Sequence, residues 1–147
     1  MKVRFLNHQD KVDPMNRTII AGGTQLAELL NRSREKPPFV AQLTADNGYQ
    51  VKIGISEKLA CAQYSRTDGT PPYLMAVSSE PPMNRGCFEF LAANTPTPIA
   101  ARYIISFDEL KEVVLHFLQT GERSDAVVWQ KLNLRALGED AERPPDS

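Results

Sequence analysis

The sequence predicts an α+β fold, an antiparallel meander sheet of about five to six strands packed against two helices. Three observations lead there. From Phe39 onward apolar residues recur at every second position, the period of a half-buried strand. The strand candidates are separated by short intervals rich in turn residues, too short for the helical crossovers that a parallel sheet requires. Near the C-terminus a stretch opening at Ser106 changes to helical spacing and supplies a cover for the sheet.

At the N-terminus Val3 and Phe5 alternate with Lys2 and Arg4, a weak edge-strand signal followed by a polar stretch ending in Asp13-Pro14. Thr24 offers an N-cap to a short amphipathic helix carrying Leu26, Leu29 and Leu30, and Pro37-Pro38 stops it. Phe39, Ala41, Leu43 and Ala45 then share one strand face, and Tyr49, Val51, Ile53 and Ile55 share the next, after Asp46-Asn47-Gly48. A two-residue turn would set Gln42 opposite Ile53 and mix polar with apolar across the pair. A three-residue loop with Gly48 left-handed aligns Leu43 with Val51 and Ala41 with Ile53, and is therefore the hairpin predicted.

Further strands are predicted at Leu59 to Arg66, Tyr73 to Ser78 and Gly86 to Ala92. Thr95-Pro96-Thr97-Pro98 reads as a break, and an extended piece, Ile99 to Ile105, leads to Ser106, which forms a capping box with Glu109. Phe107, Leu110, Val113, Val114, Phe117 and Leu118 make the apolar stripe of the second helix, and Gly121 stands where a left-handed cap ends it. Val127, Val128, Trp129 and Leu132 read as a closing strand or an extended segment docked on the same core.

A chain of 147 residues, 41% hydrophobic and 24% charged, suits one folded domain. That domain is expected over 1–137, with a disordered, acidic, Pro-rich tail over 138–147. The formal charge is −1, and four of the acids lie in that tail, so the body is near neutral. It lacks the positive field that gives affinity for nucleic acid, and direct nucleic-acid binding is not expected. No apolar run is long enough to span a membrane and the N-terminus lacks a signal-peptide core, which predicts a cytoplasmic protein without membrane attachment. Cys61 and Cys87 read as small hydrophobes in a reducing compartment.

The residues offer little for catalysis. His8 and His116 have no neighbours at metal-ligand spacing, no serine sits in a nucleophile elbow, and no local pair of carboxylates suggests acid and base roles. Gly22-Gly23-Thr24 lacks the lysine and further glycines of a phosphate loop. The expectation is no catalytic residue, no metal and no cofactor. What remains is surface: the loops Asp68 to Tyr73 and Glu80 to Arg85 combine proline stiffness with charged and aromatic groups, a mixture that loses little entropy on association.

The closing third is the most specific part. Tyr103-Ile104-Ile105-Ser106, a capped helix through Phe117-Leu118, Thr120-Gly121-Glu122-Arg123 and Val127-x-Trp129 follow in tight order. This arrangement resembles immunity protein family 1 of the bacterial polymorphic toxin systems, over Ile99 to Leu132. That family ends in an amphipathic helix, a Thr-Gly-x-Arg-Pro turn and a short strand holding a tryptophan, with Ser124 here in the proline's place. The resemblance implies a non-enzymatic protein that neutralises a co-encoded toxin, a nucleic-acid deaminase or nuclease, by occluding its active cleft. It also implies architectural roles for Gly121, Arg123 and Trp129. A basic toxin cleft would call for exposed acids, so Asp68, Glu80 and Glu89 are the contact candidates, with Tyr73 as an aromatic anchor. Two other readings stay open. One is a small-molecule enzyme or sensor with a pocket between the sheet and the last helix, marked by Cys61 or Cys87 near His116; the other is an interaction adaptor without a toxin. The sequence leaves the oligomeric state undetermined.

Overall fold

The computed structural model describes residues 2–132. In chain order the elements are β1 (Val3–Asn7), β2 (Ile19–Ile20), α1 (Gly23–Ser33), β3 (Phe39–Ala45), β4 (Tyr49–Ile55), β5 (Leu59–Arg66), β6 (Tyr73–Val77), β7 (Cys87–Ala92) and β8 (Thr95–Ala100). A 3-10 turn at Ala101–Tyr103, then β9 (Ile105–Ser106), α2 (Phe107–Thr120) and β10 (Val128–Leu132), complete them. The class is α+β, two helices on a large antiparallel sheet. The tail expected at 138–147 and the last residues of the expected domain lie outside the described residues.

The sheet runs β10-β6-β5-β4-β3-β1-β2, so β3 to β6 form the meander. The β3–β4 hairpin has the three-residue loop, with Leu43 opposite Val51, Ala41 opposite Ile53 and Gly48 at φ 88°. The strands outnumber the sequence reading because short pairings form where pattern is weak. Ile19–Ile20 covers the outer side of β1, so β1 is not itself the edge, and Ile105–Ser106 pairs with the start of β5 while β6 pairs with its end. The hairpin β7–β8 leaves the meander: β7 touches β3 in parallel at Phe39 and Leu91. The prolines of β8 are tolerated because that strand pairs with β7 alone, so they deprive no second neighbour of a donor.

Both helices cover one sheet face. Val3, Phe5, Phe39, Leu43, Val51, Ile53, Ile55, Ala60 and Ala62 point inward from the strands and meet Leu26, Leu29 and Leu30 of α1 and Leu110, Val113, Val114 and Phe117 of α2. The Ser106 and Glu109 capping box starts α2, and Gly121, at φ 73°, ends it with its N–H on the Phe117 carbonyl. Thr24 does not cap α1 as expected. The N-cap is Gly22, without a side-chain bond, and the helix already includes Gly23 and Thr24. It also ends at Ser33, before the prolines.

The second sheet face is half covered. Phe88 and Phe90 of β7, with Ile99 of β8, fold onto Val40, Leu59 and Cys61 and seal a smaller core with Ile104. Gly54 is the space they need: a Cβ there would lie 2.8 Å from Phe90 ring carbons and 2.8 Å from Cys61 Sγ. Toward the β3–β4 turn the same face becomes polar, with the Gln42 amide donating to Thr44 and Gln50, and that of Gln50 to Ser65. The β7–β8 turn is fixed from the N-terminus. Asn94 accepts from the Gln9 amide at 2.6 Å and donates its N–H back to Gln9 Oε1 at 2.7 Å.

Candidate partner-binding site

The end of the sheet that carries the β3–β4 and β5–β6 turns also receives the segment after α2. Tyr64, on the inward face of β5, is where they meet. Its ring stacks on Tyr49 at 4.9 Å, meets Phe117 edge-on at 6.0 Å and Trp129 at 6.2 Å, and lies under the Arg123 guanidinium at 5.8 Å. Its hydroxyl donates to the Gly121 carbonyl at 3.1 Å, and Asn47 Nδ2 donates to the same oxygen at 3.0 Å. Burial pushes the phenol's pKa up, with Tyr49 and Glu122 adding to the rise and Arg123 opposing it, so Tyr64 stays a neutral donor. The helix end is thus held from β5 and from the β3–β4 turn through one carbonyl.

Beyond the cap the chain is pinned again. Ser124 is buried; its hydroxyl accepts the Ala126 N–H at 3.1 Å, and its carbonyl accepts the Trp129 indole N–H at 2.7 Å. The serine therefore supplies by hydrogen bonding the local restraint that a proline would supply by its ring. Trp129 is half-buried, packed against the main core and not fully inside it. Tyr49, Tyr64, Pro72, Leu74, Val127 and Trp129 form the walls of an open groove of about 550 Å³, and residues 122–125 form its lip.

Asp68 lies in the β5–β6 turn, whose Pro72 lines the groove, and Tyr73 begins β6 just after it. Asp68 is exposed, and its carboxylate takes the Thr70 hydroxyl at 2.6 Å and the Thr70 N–H at 2.9 Å, bonds that lower its pKa and keep it charged. The Tyr73 hydroxyl donates to the Gly69 carbonyl, and the Pro71-Pro72 bond is cis. Glu80 and Glu89 do not join them. Glu80 lies past the far end of β6, and Glu89 is on the outward side of the β7–β8 hairpin. Both are exposed. Gly121, Arg123 and Trp129 come together around Tyr64, which the sequence reading had not singled out. Its signal was faint: an aromatic following Ala60 and Ala62 on the inward face of one strand. The contacts of Tyr49 and Asn47 were missed because their partners, Tyr64 and Gly121, lie on other elements.

The space between the sheet and α2 is an apolar core lined by Ile53, Ala62, Leu110, Val114 and Phe117. Cys61 faces the other side of the sheet, where burial raises its thiol pKa to about 12. Such a thiol is not a nucleophile at neutral pH. Among the described residues no group of three or more histidines, cysteines or carboxylates could hold a metal ion, and no helix is long and apolar enough to cross a membrane.

A family model described as Immunity protein Imm1 matches residues 16–131. The chain belongs to the Imm1 immunity protein family. The match spans every element from β2 into β10, and so includes all the groove residues. Comparison with curated proteins returned no match. In this Imm1 family member the groove is open and its lip carries Glu122, Arg123 and Asp125.

Proposed function

We propose that this protein neutralises a bacterial toxin encoded beside it by binding it with the groove end of the sheet and covering the toxin's active cleft in the cytoplasm. The observation that carries this reading is the set of exposed carboxylates at the groove end of the sheet, two of which, Glu122 and Asp125, stand on the groove's lip. Asp46 comes from the β3–β4 turn, Asp68 from the β5–β6 turn, and Glu122 and Asp125 from the segment after α2. Acids from three separate segments, interleaved with Tyr49, Tyr73 and Trp129, complement a basic cleft such as that of a nucleic-acid deaminase or nuclease. Inhibition by occlusion asks for no catalytic group in the inhibitor. It asks for rigid, charged and aromatic surface, and the Tyr64 hydrogen bonds supply the rigidity.

Co-expression with the neighbouring toxin tests this. The parent chain restores growth and co-purifies with the toxin, whereas Asp68→Lys with Asp125→Lys abolishes both while leaving thermal unfolding unchanged. Glu80→Lys with Glu89→Lys, on other surfaces, retains protection. Failure of the parent chain to bind the toxin or restore growth refutes the function. Protection that survives the first pair and fails with the second moves the contact to the β6–β7 loop and the hairpin.

A further inference from the structure

We propose that the groove is a receptor for one arginine side chain projected by the partner protein, its guanidinium seated against the Tyr49 and Trp129 rings and paired with the Glu122 and Asp125 carboxylates. This deepens the toxin-binding reading and rests on it. Three features of the groove select a cation. Its walls present aromatic surface, whose electron-rich faces attract a guanidinium. Arg123 already places such a group 5.8 Å from the centre of the Tyr64 ring, so this chemistry exists at the site. The lip carries two carboxylates against one base. An anion would meet both acids, and an apolar side chain would strip water from them without replacing it.

The walls are also set before any partner arrives. The Trp129 indole is tied to the Ser124 carbonyl, and Tyr49 is stacked on a Tyr64 ring anchored to Gly121. An entering side chain therefore orders itself but not the receptor, which favours association. Arginine fits better than lysine because its flat guanidinium can lie along a ring while its edge meets carboxylates.

Trp129 is the chain's single tryptophan, so its fluorescence reports on the groove alone. The probe is N-acetyl-arginine amide, titrated against the full chain to millimolar concentrations, with N-acetyl-citrulline amide as the uncharged match in shape. Arginine amide gives a saturable change in emission that weakens with added salt, and citrulline amide gives none. Glu122→Gln with Asp125→Gln, both exposed positions, weakens the arginine titration by about tenfold without shifting thermal unfolding. Equal responses to the two amides, an unchanged titration in the double variant, or no saturable response to arginine amide would overturn the proposal. The assay contains no toxin. Loss of arginine binding with growth protection intact removes the arginine receptor and leaves the immunity reading standing, while failed protection with arginine binding intact removes the immunity reading alone.

Discussion

Replacing Gly54 by alanine asks whether the β7–β8 hairpin is locked to the sheet or merely rests on it. A Cβ at residue 54 would lie 2.8 Å from Cδ1 and Cε1 of Phe90 and 2.8 Å from Cys61 Sγ. Carbon atoms at best contact sit about 3.5–4.0 Å apart, so the methyl needs most of an ångström that is not there. Phe90 has 0% exposure and leans edge-on against Phe88 at 5.1 Å, which leaves it no empty side to move into. Overpacking of this kind costs about 1–3 kcal/mol. Alanine in place of glycine within a strand returns about 0.5–1 kcal/mol through the unfolded chain, and Gly54 has no left-handed φ to oppose it. The net expectation is a loss of about 1–2 kcal/mol in urea unfolding. A double-mutant cycle isolates the cause: in a Phe90→Ala background, Gly54→Ala should be nearly neutral, giving a coupling of about 1 kcal/mol or more. A neutral or stabilising Gly54→Ala in the parent chain, or strict additivity with Phe90→Ala, would refute the argument.

Tyr64→Phe keeps the ring contacts and deletes one donor to the Gly121 carbonyl, so thermal unfolding should report a loss of about 1 kcal/mol. For Asp13, burial alone would raise the carboxyl, but the Asn7 amide, the Met15 N–H and the Lys36 ammonium outweigh it and hold the pKa below 3.8. A depressed folded pKa stabilises above the unfolded value, and that stability is lost as pH falls through the folded one. Asp13→Asn should therefore lower urea midpoints near neutral pH, by an amount that shrinks as pH falls below about 3.8; a deficit independent of pH would contradict this. Cys61 is buried and Cys87 exposed, so a disulfide reagent at about pH 8 should titrate one thiol in the native protein. Cys87→Ser should remove that reaction and unfolding should restore one.

Much of this fold was readable because local chemistry and burial agree. The β3–β4 register follows from which residues must face α2, and a one-residue slip would have turned Leu43 and Ile53 outward. Ser106, Glu109 and Gly121 mark both ends of α2 with groups whose partners lie within a few residues. Of the β7–β8 hairpin the first strand was readable, but its turn and its second strand were not. Its turn places Ala93 at φ 50° and Asn94 at φ 65°, a conformation usually signalled by glycine, and its second strand begins Thr95-Pro96-Thr97-Pro98. Gln9 stabilises that turn from 85 residues away, a relation no local pattern reveals. The α1 start was misplaced because threonine is a good cap by type, yet here the chain is already helical when it reaches Thr24. The groove was legible only in part: Gly121 was marked by its place after the helix, Arg123 and Trp129 by the family resemblance, whereas Tyr64 became central only once the strands were in register.

The order in which the groove is assembled matters during synthesis. Tyr49, Tyr64 and Pro72 leave the ribosome early, but the opposing wall, Val127 and Trp129, comes with the last described strand, which pairs only with β6. A nascent or truncated chain that stops before residue 127 has most of the sheet and neither that wall nor a cover for the outer side of β6. The groove is thus completed only when translation has passed the tryptophan, and a shortened product presents one wall of it without the other.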